Sequence, residues 1–179
     1  AAGIQNIELI EANAEEIDFS EESFNAIFCT YAIVLFTDIP KILKNWHRFL
    51  KKGGIVTFSC HSETSYFTPV ITQACAKFGV SLPNIHEPLG TPERCFNLMR
   101  EVGFQEIKIK TNQFGQYMSL TEAQNFWQGC WLHPLNPLRK LSNEQIGRIT
   151  AEYSKEIEIV ATDQGVWHEN TTFFVTGRK

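Results

Sequence analysis

One βαβ pattern constrains the fold of this chain more than any other feature. Residues 24–31 are almost all apolar, which is typical of a strand buried on both faces of a parallel sheet. Residues 38–50 carry apolar side chains at spacings of three and four, as an amphipathic helix does. Gly53 and Gly54 then permit a sharp exit, and residues 55–60 are again apolar. The pattern predicts two parallel strands joined by a helix.

Length, charge and cysteine content exclude several classes of protein. The 179 residues suit one domain with a small appended region, and no apolar run approaches the ~18 residues that span a bilayer, so no membrane association is expected. The formal net charge of −4, without a basic cluster, argues against binding to nucleic acid. Five irregularly spaced cysteines without a Cys-x-x-Cys pair favour reduced thiols in a cytoplasmic protein.

Further strands and helices are predicted on both sides of this unit. Gly103 marks a helix-to-strand exit, and Ser119 with Glu122 forms a capping-box start. Alternating strands and helices imply an α/β fold with a parallel sheet, whose ligands bind beyond the carboxyl ends of the strands. The additional elements are expected as helices over residues 66–78, 91–102, 119–127 and 143–159, and as strands over residues 7–12, 104–110 and 171–176.

Three blocks of sequence stand in the order and spacing of a known family. They are Glu-Ala-Asn-Ala-Glu-Glu-Ile-Asp-Phe over residues 11–19, Phe-Asn-Ala-Ile-Phe-Cys-Thr-Tyr-Ala over 24–32, and Leu-Lys-Lys-Gly-Gly over 50–54. Together they resemble the class I S-adenosylmethionine-dependent methyltransferases. The closest resemblance is to the methyltransferase domain 11 branch, which includes quinone-biosynthesis enzymes.

This resemblance implies a fold, a cofactor and a set of contacts. The fold would be a Rossmann-like sheet with strand order 3-2-1-4-5-7-6, and the cofactor would be S-adenosyl-L-methionine. By resemblance, Asn13 takes the position that bonds the adenine amino group, and Ala14 and Glu15 supply adjacent backbone. Cys29 follows the strand beside the methionine portion of the cofactor. On residue type alone, Asn13 also fits an ordinary turn and Cys29 a small buried hydrophobe.

Two features of the family have no counterpart in the sequence. They are the opening strand with its glycine-rich loop and the acidic end of the second strand, which hold the cofactor. We therefore expect a sheet that lacks its first two strands, in a chain that is an incomplete and by itself inactive portion of an enzyme. Its expected parts are a cofactor-binding region over residues 1–112, a helical substrate lid over 113–170 and a final strand within 171–179. Residues 24–31 would form a sheet edge open to self-association.

The methyl acceptor is expected to lie near aromatic and histidine side chains. The cofactor supplies the electrophile in methyl transfer, so the sequence assigns no universal catalytic residue. His61 follows the predicted strand over residues 55–60 and is the candidate general base, although a surface position is an alternative. Tyr66, Trp127 and Trp131 lie in segments that would line an apolar pocket. The tryptophans equally fit a role in core packing.

The remaining alternatives concern the class of function. A small organic acceptor is expected, because the sequence signals for methylation of adenine, glutamine or arginine are absent. No histidine or cysteine spacing typical of a metal site is present, so we predict no metal. A noncatalytic methyltransferase-like binding or scaffold protein is the main competing interpretation, and a nicotinamide dehydrogenase is another. The loop over residues 13–19 favours adenosylmethionine over nicotinamide.

Overall fold

A mixed four-stranded sheet forms the centre of the computed structural model, which describes residues 6–129 and 136–179. Its strand order is β1-β2-β6-β3, with a parallel first pair and two antiparallel pairs. This order corresponds to the 4-5-7-6 half of the sheet that the resemblance implied. The four strands are β1 (Phe24–Thr30), β2 (Leu50–His61), β3 (Gln105–Gln113) and β6 (Thr171–Arg178).

Asp38 and Ser119 cap the helices that follow them. The side chain of Asp38 accepts a hydrogen bond from the Lys41 amide at 2.9 Å, and Ser119 forms a capping box with Glu122. Gly103 ends its helix in the left-handed conformation with φ of 110°. The helices are α1 (Ile39–Phe49), α2 (Thr68–Ala76), α3 (Pro92–Val102), α4 (Leu120–Asn125) and α5 (Asn143–Val160).

The main core lies on one face of the sheet. Helices α1 and α3 pack there against Val56, Phe58 and Val175, all of which are buried. On β1, Ile27 and Cys29 point towards this core. The alternate residue Phe28 points the other way and is 74% exposed. The described helices therefore leave the second face of β1 open.

Two expectations about the first strands are wrong. Residues 24–30 of the strand predicted over 24–31 form β1, but they are not buried on both faces, because no described element covers the face that carries Phe28. Residues 7–12 do not form a strand. No strand among the described residues lies beside them to supply hydrogen bonds, and Leu9 is 91% exposed.

A second core joins the helices that follow the sheet strands. Helices α2, α4 and α5 contribute to it, and Tyr153 is its largest fully buried side chain. A two-stranded antiparallel sheet of β4 (Gln116–Met118) and β5 (Val166–His168) completes this region. The sequence did not predict β4 or β5, because three residues are too few to show a periodic pattern.

No helix within the described ranges is both long and apolar enough to cross a membrane.

The Tyr153 hydroxyl provides a test of the second core. It donates a hydrogen bond to the carbonyl oxygen of Ala123 at 2.8 Å in a buried position. We expect Tyr153→Phe to lower the free energy of unfolding by about 1 kcal/mol, measured by urea denaturation. The control Tyr117→Phe removes a hydroxyl from a ring that is 49% exposed and should cause no measurable change. Equal stability of the two variants would contradict this account of the core.

Candidate active site

The loop after residue 12 is organised by Asn13. The amide of Glu15 donates to Asn13 Oδ1 at 3.0 Å, and the amides of Glu16 and Ile17 donate to the Asn13 carbonyl at 3.0 and 2.9 Å. These bonds form a tight turn, a role for which asparagine is a common residue. A carboxamide oxygen has two lone pairs, so Asn13 Oδ1 can still accept a hydrogen bond from a ligand.

Glu15 ties this loop to the segment that follows β1. Its carboxylate accepts hydrogen bonds from the Thr37 amide and, at 2.9 Å, from the Thr37 hydroxyl. These bonds lower the pKa of Glu15, the amide making the largest contribution. Thr37 lies directly before Asp38, which caps α1. The loop over residues 13–19 and the connection after β1 therefore lie side by side.

Cys29 lies near the carboxyl end of β1 and packs against the main core. Burial raises the pKa of its thiol. The thiol therefore stays protonated at neutral pH, which gives Cys29 the character of a small hydrophobe rather than of a nucleophile.

A groove of about 280 Å³ runs along the edge of β1. Ala14 lies at this groove, but its strand residues, Phe24, Ala26 and Ile27, belong to the first half of β1. Ligands of α/β sheets bind at the opposite, carboxyl end of the strands. The groove is therefore better suited to packing another element of structure than to holding a cofactor. It is completed by Ile17, Phe19, Ile42, Asn45, Trp46 and Phe49.

A cluster of aromatic and histidine side chains occupies the carboxyl ends of β1 and β2. The ring of Tyr31 stacks on His61 with centroids 4.6 Å apart, and Tyr66 approaches the same imidazole edge-on at 4.7 Å. Tyr66 Oη lies 3.1 Å from His61 Nε2. On the other side, Thr172 Oγ1 lies 3.3 Å from His61 Nδ1. Two of the predicted residues, His61 and Tyr66, thus come together.

Two further histidines complete this cluster. His86 meets the His61 ring at 5.5 Å, and the ring of His168 lies 5.4 Å from that of Tyr66. Burial lowers the pKa values of His61 and His86 to about 4, and the neighbouring His61 contributes to the shift of His86. His86 Nδ1 and His168 Nε2 are buried without a hydrogen-bond partner among the described residues. The cluster is therefore uncharged at neutral pH and retains unused polar atoms.

The predicted residue Trp127 does not join the cluster around His61. Trp127 is buried in the second core, where its ring lies 6.3 Å from that of Tyr153. This position agrees with the alternative role in core packing. Trp131 lies outside the described residues. Sequence reasoning also missed Tyr31, His86 and Thr172. Of these, only Tyr31 carried a usable signal, because it follows the βαβ strand at its carboxyl end.

The described residues contain four free cysteines: Cys29, Cys60, Cys75 and Cys95. Within the same ranges, no group of three His, Cys, Asp or Glu side chains is arranged to hold a metal ion.

Comparison with known proteins shows that the first third of the chain is similar to methyltransferases. Residues 1–58 match the methyltransferase domain family. The ubiquinone/menaquinone biosynthesis C-methyltransferase UbiE of Brucella canis is 38% identical over 68 residues, which are 38% of this chain and 24% of that protein. UbiE of Klebsiella pneumoniae is 25% identical over 120 residues, covering 58% of this chain and 48% of that protein. The matches thus span a quarter to a half of these curated relatives.

A solved structure shares the fold. A candidate methyltransferase from Bacillus halodurans C-125 superimposes with a TM-score of 0.59 at 17% identity, covering 99% of this chain and 73% of the other. The superposition shows a shared Rossmann-like fold, and the resemblance predicted from the three sequence blocks is confirmed over residues 1–58 by the match to the methyltransferase domain family.

The buried histidines give a testable pH dependence. Their pKa values of about 4 lie below the ordinary value of about 6.5, so the unfolded chain binds more protons between these limits. We therefore expect the free energy of unfolding to fall as the pH is lowered from about 6.5 to about 4. NMR titration should show imidazole midpoints near 4, with signals assigned through His61→Gln and His86→Gln. Midpoints near 6.5 would contradict the burial of these rings.

Proposed function

We propose that this chain is part of an enzyme that transfers a methyl group from S-adenosyl-L-methionine to a small organic acceptor. One observation carries the proposal. Through the Glu15–Thr37 hydrogen bonds, the loop over residues 13–19 is joined to the connection that leaves the carboxyl end of β1. The loop that resembles an adenine-binding segment therefore lies against the segment that links β1 to α1.

On this proposal the adenosine part of the cofactor lies against the loop. Asn13 Oδ1 uses its remaining lone pair for the adenine amino group, while Ala14 and Glu15 present backbone beside it. Cys29 lies beside the methionine part as an apolar contact. When bound, the cofactor supplies an electrophilic methyl group, and the protein has to align the acceptor and remove its proton.

The acceptor site on this proposal is the His61–Tyr66 cluster at the neighbouring strand end. Buried nitrogens of His86 and His168 have no partner among the described residues, so a polar group of the acceptor that reached them would satisfy their hydrogen-bonding capacity. The aromatic walls and the net charge of −4 favour a small organic molecule over nucleic acid. Trp127 would act here only through the packing of the second core.

The glycine-rich loop would come from upstream strands that pair with β1. Three observations support this part of the proposal: β1 is paired only with β2 among the described strands, Phe28 is 74% exposed, and the groove of about 280 Å³ follows the free edge. Parallel sheets in α/β proteins are normally covered on both faces.

The free thiols of the described cysteines favour a cytoplasmic location for the enzyme.

Binding of S-adenosylhomocysteine tests the proposed function. Isothermal titration of this product into the full-length polypeptide should show binding, and Asn13→Ala should weaken it about tenfold through loss of one hydrogen bond. The matched variant Gln113→Ala alters an exposed polar residue at the far edge of the sheet and should bind normally. Absence of heat from a folded sample would favour the noncatalytic scaffold interpretation.

The open face and edge of β1 predict self-association of residues 1–179. An unpaired apolar strand can pair with another chain, so light scattering should report species larger than 20.5 kDa. Phe28→Glu should reduce their amount, because it places a charge on the open face. Phe78→Glu changes an exposed aromatic ring after α2 and should leave them unchanged. A monomer throughout would show that the edge is protected in another way.

A further inference from the structure

Tyr31 holds an unusual position at the carboxyl end of β1. Its backbone has a φ of 54°, in the left-handed region that favours glycine. The Tyr31 amide donates to the Ser59 hydroxyl at 3.0 Å, which holds this conformation. The side chain is stacked on His61, yet the residue remains 39% exposed. Strained residues of this kind persist where the surrounding structure fixes them and are concentrated at functional sites.

A chain of hydrogen bonds runs from Tyr31 into the protein. Its hydroxyl donates to Thr172 Oγ1 at 3.4 Å, and Thr172 Oγ1 lies 3.3 Å from His61 Nδ1. Since Thr172 Oγ1 accepts this hydrogen bond, its own hydroxyl hydrogen can be donated to Nδ1. In that arrangement His61 carries its hydrogen on Nε2, which lies 3.1 Å from Tyr66 Oη. Both imidazole nitrogens are therefore occupied within the protein.

We propose that Tyr31 is the catalytic residue that takes the proton from the methyl acceptor, and that Thr172 and His61 relay this proton inwards. The acceptor is then a neutral molecule with a reactive hydroxyl, such as a phenol. The inference rests on the proposed function. It differs from direct base catalysis by His61, because neither imidazole nitrogen is free to meet the acceptor.

The step balances in atoms and charge. The acceptor oxygen forms a bond to the methyl carbon of the sulfonium, while the carbon–sulfur bond breaks and leaves its electron pair on sulfur. The acceptor proton passes to the Tyr31 hydroxyl oxygen. At the same time the Tyr31 hydroxyl proton moves to Thr172 Oγ1, and the Thr172 hydroxyl proton moves to His61 Nδ1. The products are the methyl ether, S-adenosylhomocysteine and an imidazolium. One positive charge is thus transferred from sulfur to His61, and none is created.

The surroundings of His61 select an uncharged acceptor. No side chain in contact with its ring, among the described residues, is a carboxylate that would stabilise a cationic amine. The stacked face of Tyr31 can stabilise the imidazolium formed in the step. The groups that face His61 are Tyr31, Tyr66, His86, Asn170 and Thr172.

Matched substitutions test the relay in the full-length polypeptide. With p-cresol, catechol and hydroquinone as acceptors, Tyr31→Phe and Thr172→Val should each lower kcat on the order of 10²-fold with little change in KM. The double variant should be no worse than either one, because the residues act in one path. Thr172→Ser keeps the hydroxyl and should restore most of the rate. Thr176→Val makes the same substitution further along β6, opposite Thr57, and should leave kcat unchanged.

A measurement without turnover separates this inference from the proposed function. Nitrogen-15 NMR should find the His61 proton on Nε2, and Thr172→Val should shift the population towards Nδ1. A proton on Nδ1 in the unchanged protein overturns the relay whether or not the cofactor binds. If S-adenosylhomocysteine binds and Tyr31→Phe keeps full kcat, the relay fails and the proposed function stands. Transfer to benzylamine but to none of the phenols overturns the acceptor class.

Discussion

The pairing of β2 with both β1 and β6 determines where the candidate site lies. The register sets Thr30 opposite Ser59 and His61 opposite Thr172. Tyr31 follows Thr30 directly, so the same register places its ring on the imidazole. A shift of one residue in either ladder would turn His61 or Thr172 to the opposite face and separate them. The site is thus a consequence of strand register rather than of any single loop.

Local patterns were enough to predict most elements of this fold. The α1 helix follows from its apolar stripe and the Asp38 cap, and the end of α3 follows from Gly103. Pairing partners were not available from these patterns. Residues 7–12 have the composition of a strand, but a strand exists only where a neighbour completes its hydrogen bonds. The same reason explains the exposed second face of β1, because burial is a property of the whole sheet.

The candidate site was only half predictable, since it is assembled from distant positions. His61 and Tyr66 are five residues apart, and a strand end followed by a turn could bring them together. Thr172 lies 141 residues beyond Tyr31 and meets it only because β6 enters the sheet beside β2. Nothing in the composition around Thr172 distinguishes it from the other threonines of its strand. Its role depends entirely on the antiparallel register.

The cluster around His61 is uncharged, which suits a reaction whose methyl donor is a sulfonium cation. A buried carboxylate beside His61 would hold the imidazole protonated and prevent it from accepting a proton. Burial among neutral rings keeps it unprotonated, as the lowered pKa of about 4 shows. A weak base is sufficient when proton transfer accompanies the loss of positive charge from a sulfonium, because the total charge of the site stays constant. Charge balance therefore connects the packing of Tyr31, Tyr66 and His86 to the chemistry that we propose.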